Sequence, residues 1–220
     1  MTPDAVPPPS SAVAVRRHPE RGAYDAGSVH AVLDAATVGH VGILGADGRP
    51  IVVPMLYGRR GDRLYLHGSV ASRLARSLDD GVDCCVTAMV VDGLVLARSA
   101  FHHSMNYRSV VVVGRAERVR GDEAEAGLRA ISEHLVPGRW DEVRPPSAVE
   151  LRQTAVLALP LAEASVKVRT GGPVDEPEDL ALDVWAGVLG CTTTWGEPIG
   201  AEDLRDGLAV SDSVQARRAG

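Results

Sequence analysis

The chain has 220 residues, 45% of them hydrophobic, which is enough for one domain with a substantial core. A net charge of -6 argues against a general nucleic-acid or anionic-membrane binder. No apolar run reaches the roughly 20 residues needed to cross a bilayer.

The first residues, MTPDAVPPPSSAVAV, are proline-rich and lack the basic start and unbroken apolar core of a signal peptide. Residues 1–20 are expected to be disordered, 21–200 to form the folded domain, and 201–220 to be a polar, flexible tail. Ser28 is placed to cap a helix whose apolar face is Val29, Val32, Leu33 and Ala36. A strand follows at 38–44, then the Ala46-Asp47-Gly48-Arg49 turn, a strand at 51–57, a Gly61-Asp62 turn and a strand at 64–67.

That last strand runs into Gly68-Ser69-Val70-Ala71-Ser72-Arg73. With Ser69 as N-cap, open first-turn amides, the Ser69 and Ser72 hydroxyls and the Arg73 guanidinium converge on one side, a cradle for a phosphate. A plain helix cap with a solvated arginine accounts for the same residues. The helix carries Leu74 and Leu78 on one side and stops near Gly81. Strands at 82–91 and 94–101 are expected to pair about Asp92-Gly93, a strong hairpin signal. A long strand from Tyr107 to about Val119, a helix over 122–135, a capping box at Ser147-Ala148-Val149-Glu150 and a strand at 154–161 complete the pattern. Six or seven antiparallel strands with a few peripheral helices predict a mainly β barrel.

Several chemistries have no support. There is no GxGxxG after a strand, no Walker A loop, no GxSxG elbow and no zinc-like spacing. The adjacent pair His102-His103 diverges on an extended chain and has no third ligand at a useful spacing, so no metal site is expected. Three cysteines, with Cys84 and Cys85 adjacent, make no disulfide framework; on a strand one faces the core and the other is half-exposed. A reduced, cytoplasmic protein is expected. Of 23 basic residues only Lys167 is a lysine, a skew expected of a high-GC genome.

Four blocks carry a resemblance: Arg17-His18-Pro19-Glu20-Arg21-Gly22, Val53-Pro54-Met55-Leu56-Tyr57, Leu64 to Arg73, and Tyr107 to Ala116. From about Arg21 to Leu189 the chain resembles the FMN-binding split-barrel family, which includes pyridoxamine 5'-phosphate oxidase-like proteins and the nitroimidazole-resistance (Nim) reductases. The resemblance implies a split β-barrel homodimer with FMN in a groove between the subunits. His67, Gly68, Ser69, Ser72 and Arg73 would surround the phosphate and ribityl chain. Val53, Pro54, Met55 and Tyr57 would set backbone groups beside the flavin ring, and Asn106, Tyr107, Arg108 and Ser109 would bring polar groups to its edge. Lys167 and Arg169 alternate on one face of a strand, and Lys167 and Trp185 would border the site. His67, with a reference pKa near ~6.5, would contact the cofactor or protonate a reduced substrate. The implied activity is FMN-dependent reduction of a small electrophile, nitroaromatic or quinone-like. The alternatives are a non-catalytic flavin-binding or redox-sensing protein, or the same barrel holding F420 or haem, with His67, His102 or His103 as axial ligand.

Overall fold

The computed structural model describes residues 6–69 and 81–219. Among them the chain forms nine strands: β1 Gly22–Ala23, β2 Val38–Leu44, β3 Pro50–Arg60, β4 Arg63–Ser69, β5 Val82–Leu96, β6 Ser104–Val119, β7 Thr154–Pro160, β8 Ala164–Arg169 and β9 Gly187–Gly190. The helices are α1 Ala26–Ala35, α2 Gly121–Leu135, α3 Arg139–Glu142, α4 Ala148–Gln153 and α5 Asp212–Ala219. Strand neighbours run β1-β8-β6-β7-β4-β3-β2-β5-β9, with β6 also pairing β5. The helix expected to follow Ser69, with Ser72, Arg73, Leu74 and Leu78, lies outside the described residues.

The chain divides into two units. The first comprises Met1–Met55, Asp83–Gly114 and Leu161–Thr192. Within it β2 pairs antiparallel with β5 from Gly39↔Ala88 to Ile43↔Cys84, and β6 pairs with β8 from Tyr107↔Arg169 to Val112↔Ala164. Alternation sends Val41, Val86, Val95, Val110, Val112 and Val166 inward, where they are almost wholly buried. The helix face Val29, Val32, Leu33 and Ala36 packs into the same unit's core as its spacing predicts. Its cap is not Ser28 but Asp25, whose carboxylate accepts from the Ser28 amide at 2.8 Å and from the Ser28 hydroxyl at 2.7 Å. An ionised acceptor reaching the first turn is a stronger cap than the serine hydroxyl would be.

Asp92-Gly93 is not a hairpin turn: β5 continues through it as one 15-residue strand. Gly93 lacks the positive φ that a tight hairpin of this type requires. Its missing Cβ serves a different end, because an added one would lie 2.8 Å from the carbonyl oxygen of Leu189 on the paired strand β9. Asp92 also accepts the Cys191 amide through its carbonyl, at 3.1 Å. The proline-rich segment, for which composition predicts disorder, is anchored to this unit by contacts its composition does not announce. Val13 is buried, the Val15 amide donates to the Tyr24 hydroxyl at 2.9 Å, and the Ser10 hydroxyl bonds Glu163.

The second unit comprises Leu56–Val82, Arg115–Pro160 and Thr193–Gly220. Strand β4 pairs with the end of β3 (Tyr57↔Leu66 to Arg60↔Arg63) and along β7 (Arg63↔Pro160 to Ser69↔Thr154), and β7 pairs with the end of β6. Leu64, Leu66, Leu157 and Leu159 are buried on one side of these strands. On the other side Tyr65, Val156 and Ala158 pack with Ile131 of α2. Burying each such leucine or isoleucine contributes about 1.5–3 kcal/mol. The helix approaches closely enough that a Cβ on Gly58 would sit 2.3 Å from the Ala130 carbonyl carbon. The predicted capping box is present at Ser147 and Glu150. In the tail, Glu142 of α3 accepts from the Ser213 amide at 2.9 Å and from its hydroxyl, which ties α5 down.

Candidate functional site

In the second unit the end of β4 brings His67, Gly68 and Ser69 together opposite Val156, Ala155 and Thr154 of β7. Residues facing one another in an antiparallel ladder share a face, so His67 stands on the side of the sheet occupied by Tyr65 and Val156. His67 is half-buried, and its Nδ1 atom is buried with no hydrogen-bond partner among the described residues. Leaving such an atom unpaired costs about 1–3 kcal/mol, which native proteins incur mainly where a ligand or water completes the site. Burial lowers the His67 pKa, so the neutral imidazole, with a free lone pair, is the favoured form. Ser69 is the last residue of β4 and is exposed; its role as a cap toward Ser72 and Arg73 lies outside the described residues. Tyr57 is wholly buried and stacks on His134 of α2, ring centroids 4.7 Å apart. Its ring is therefore a packing element, and His134 is a neighbour that no sequence motif marked.

In the first unit Val53, Pro54 and Met55 lie on β3, with Val53 and Pro54 exposed and Met55 half-buried. Val52 is also exposed, on the opposite face of the strand from Val53. The start of β6 is engaged in internal contacts. Arg108 binds Asp92 bidentately at 2.8 and 3.0 Å, and its hydrogen bonds hold the Asp92 carboxyl below its ordinary value. Asn106 accepts from Arg169 and donates to the Gly171 carbonyl at 3.1 Å. Arg169 is buried, and its remaining bonds go to the carbonyls of Gly171 and Gly172, all neutral acceptors. The Ser109 hydroxyl donates to the Lys167 carbonyl at 3.3 Å, and Tyr107 faces Arg169 across the ladder. Lys167, the single lysine, donates to the Arg17 carbonyl at 2.8 Å and so tethers the N-terminal segment. Trp185 is 67% exposed, and its ring lies over Gly187, where an added Cβ would be 2.9 Å away.

The adjacent histidines are both engaged. His103 Nδ1 accepts the Ala97 amide at 3.1 Å, which leaves the proton on Nε2 and removes its lone pair from ligation. His102 Nε2 lies 3.6 Å from Glu176. The neighbouring Asp175, its side chain almost fully buried, pairs with Arg98 at 2.8 Å. No sequence spacing pointed to this pair, because its members are 77 residues apart. Among the described residues no group of three or more His, Cys, Asp or Glu side chains could hold a metal ion. No helix among them is long and apolar enough to cross a membrane. As expected, Cys84 is buried and Cys85 half-exposed, and burial raises the Cys85 thiol pKa.

The family model for pyridoxamine 5'-phosphate oxidase matches residues 25–168. The chain belongs to this pyridoxamine 5'-phosphate oxidase-like family. Its split-barrel fold recurs at nearly full length in the flavocytochrome Anf3 of Azotobacter vinelandii, with 39% identity and a TM-score of 0.89 over 98% of this chain and 100% of that one. A FAD- and haem-binding protein of Mycobacterium smegmatis matches with 34% identity and a TM-score of 0.85, covering 90% of this chain and 97% of that one. A putative 5-nitroimidazole antibiotic resistance protein of Bacteroides thetaiotaomicron matches at 25% identity and a TM-score of 0.57, over 67% of this chain and 86% of its own. A search of the curated proteins found no match. The oxidase-like family and the Nim-like relative are those the four sequence blocks implied.

Proposed function

We propose that this member of the oxidase-like family is a flavin- and haem-binding redox protein that works as a cytoplasmic homodimer. The observation that carries the reading is the buried Nδ1 of His67, without a hydrogen-bond partner among the described residues, in a chain that aligns along nearly its whole length with a flavocytochrome. An imidazole held neutral by burial suits either an axial bond to iron or a hydrogen bond from a flavin. Among the three histidines considered as axial ligands, His67 is favoured, since His103 has its Nδ1 engaged by a backbone amide and His102 faces Glu176. A bound flavin would supply hydride and electron transfer, and a haem held at His67 would supply one-electron chemistry.

The protein's own part is to bind and orient. Exposed Val53 and half-buried Met55, on one face of β3, offer apolar side chains, and Pro54 interrupts the ladder donors there. Buried Arg169, whose hydrogen-bond partners among the described residues are neutral oxygens, favours a nearby anionic group. Ser72 and Arg73 are retained as the proposed phosphate grip. FMN is the flavin implied by the sequence blocks, whereas the relative with 34% identity binds FAD, and we favour FAD on that ground. Catalytic reduction of a small nitroaromatic or quinone-like electrophile is the reaction we assign to the bound flavin. Exposed Val53 and Trp185, both in the first unit, are the kind of apolar side chains that a second copy covers.

The test is the visible spectrum and the mass of what copurifies. Flavin bands together with a Soret band, and loss of the Soret band alone in His67→Ala, are the expected results. A single near-violet band would point to F420. A colourless protein that takes up neither flavin nor haem on titration would overturn the reading. Acceleration of electron transfer to nitroaromatic or quinone acceptors over that of free flavin is expected of an enzyme; none would make it a binding or sensing protein.

A further inference from the structure

A cavity of about 280 Å3 lies within the first unit, between residues 12–17 and one face of the sheet. The ladder registers fix which face. Gly22 of β1 pairs with Lys167 of β8, Lys167 with Ser109 of β6, and Ser165 with Val111, so these residues share one side. The buried Val110, Val112 and Val166 take the other. The N-terminal segment crosses the first side: Val15 stands over Gly22, where an added Cβ would lie 3.1 Å from it, and the Arg17 carbonyl accepts from the Lys167 ammonium at 2.8 Å. Val13 is buried, so the segment is packed in place. Lys167, Arg16 and Arg17 line the cavity, with buried Ser165 beneath. Among the described residues the lining holds no carboxylate, and neither guanidinium has a hydrogen bond or ion pair. The one bond of the Lys167 ammonium goes to a neutral carbonyl, which leaves its charge uncancelled. Glu163, two residues before Ser165, lies outside the lining and accepts the Ser10 hydroxyl. Even with Glu163 counted, three cations against one carboxylate leave a surplus of two positive charges.

We propose that this cavity binds a phosphoryl dianion, held by Lys167 of the sheet and by Arg16 and Arg17 of the N-terminal segment. A surplus of two charges matches a dianion, and guanidinium and ammonium bonds to phosphate are charge-assisted. The ammonium keeps two donors beyond the one given to the Arg17 carbonyl. The volume, just below the usual range of small-molecule pockets, suits a phosphoryl group rather than a whole dinucleotide. Because its ligands come from both the segment and the sheet, the anion joins the two. Two sources share this chemistry: free phosphate, or a phosphate group of the flavin proposed above. Only the second rests on the flavin reading, and a protein that purifies without flavin removes that source and leaves the first standing.

The probe is inorganic phosphate, titrated calorimetrically at fixed ionic strength into the full-length protein as purified, with potassium chloride as the monoanion control. Phosphate is expected to bind in preference to chloride and to slow amide exchange at residues 12–17. Arg17→Gln and Lys167→Gln are each expected to weaken binding roughly tenfold or more, the scale of a charged hydrogen bond. Lys167→Gln also loses the bond to the Arg17 carbonyl, whereas Arg17→Gln keeps that bond and isolates the anion contact. Arg49→Gln removes the same charge from a turn of the same unit, where Arg49 lies 3.5 Å from Asp47, and is expected to change nothing. Visible absorption recorded alongside separates the sources. Phosphate bound with unmoved flavin bands assigns the site to free phosphate. Flavin bands that change with the same midpoint, or flavin content that falls in Arg17→Gln and Lys167→Gln when phosphate itself does not bind, assign it to the flavin. The proposal is overturned if phosphate binds no better than chloride while both variants keep wild-type cofactor content. It is also overturned if both variants bind phosphate as the wild type does, or if Arg49→Gln weakens binding as much as they do.

Discussion

At the scale of single residues, positions that look alike in sequence serve different ends. Gly93 reads as a turn glycine beside an aspartate, yet it stands in mid-strand so that the backbone of β9 can approach. Gly93→Val should therefore cost about 1–3 kcal/mol through overpacking, without altering a turn. Urea unfolding would register the loss, and hydrogen exchange would place it at residues 187–190. His67 gives a pH signature. Its folded pKa is depressed, so the folded state holds fewer protons than the unfolded one below the unfolded pKa. The stability it contributes is present above the unfolded value of ~6.5 and is lost as pH falls through the folded value. His67→Gln should flatten that acid limb in a series of thermal melts, and an unaltered limb would refute the assignment.

At the scale of elements, close approach governs how α2 meets β3 and β4. A Cβ at position 58 would meet backbone atoms of Ala130 and Ile131 at 2.3–2.4 Å, and backbone cannot swing aside as a side chain can. Gly58→Ala should thus lie at the costly end of overpacking, about 3 kcal/mol, visible as a large drop in Tm. The start of the C-terminal helix α5 is held by a carboxylate. The Ser213 hydroxyl and amide, with smaller help from Arg139, hold Glu142 down at about 2. This contribution is present above the ordinary value of 4.5 and fades as pH falls toward 2. Amides of residues 212–219 should exchange faster over that window, and Glu142→Gln should remove the pH dependence.

At the scale of the whole molecule, the exposed apolar residues Val52 and Val53 of the first unit are surface that a second subunit can cover. If the proposed homodimer covers them, Val53→Asp should raise the dimer dissociation constant roughly tenfold or more, and flavin should be released as dilution separates the subunits. Sedimentation at graded concentrations, with cofactor absorbance followed in the same cell, checks both. Flavin retained by a demonstrated monomer would contradict a groove shared between subunits.

Local patterns sufficed where the deciding interactions are local. The apolar spacing of α1, the capping box of α4, the alternation of β2 and the division of labour between Cys84 and Cys85 all follow from periods of 3.6 or 2, which residues a few positions apart can enforce. The family itself was legible for a related reason: short blocks such as Val53-Pro54-Met55 and Leu64 to Ser69 keep their order along one strand. Long-range partners were beyond such patterns. That Arg98 meets Asp175, that Lys167 ties down Arg17, and that Gly93 makes way for β9 depend on strands far apart in the chain becoming neighbours. The Nδ1 of His67, buried without a partner among the described residues, belongs to the same class. Whether a buried polar atom finds a partner is decided by everything packed around it, and only the folded chain supplies that surrounding.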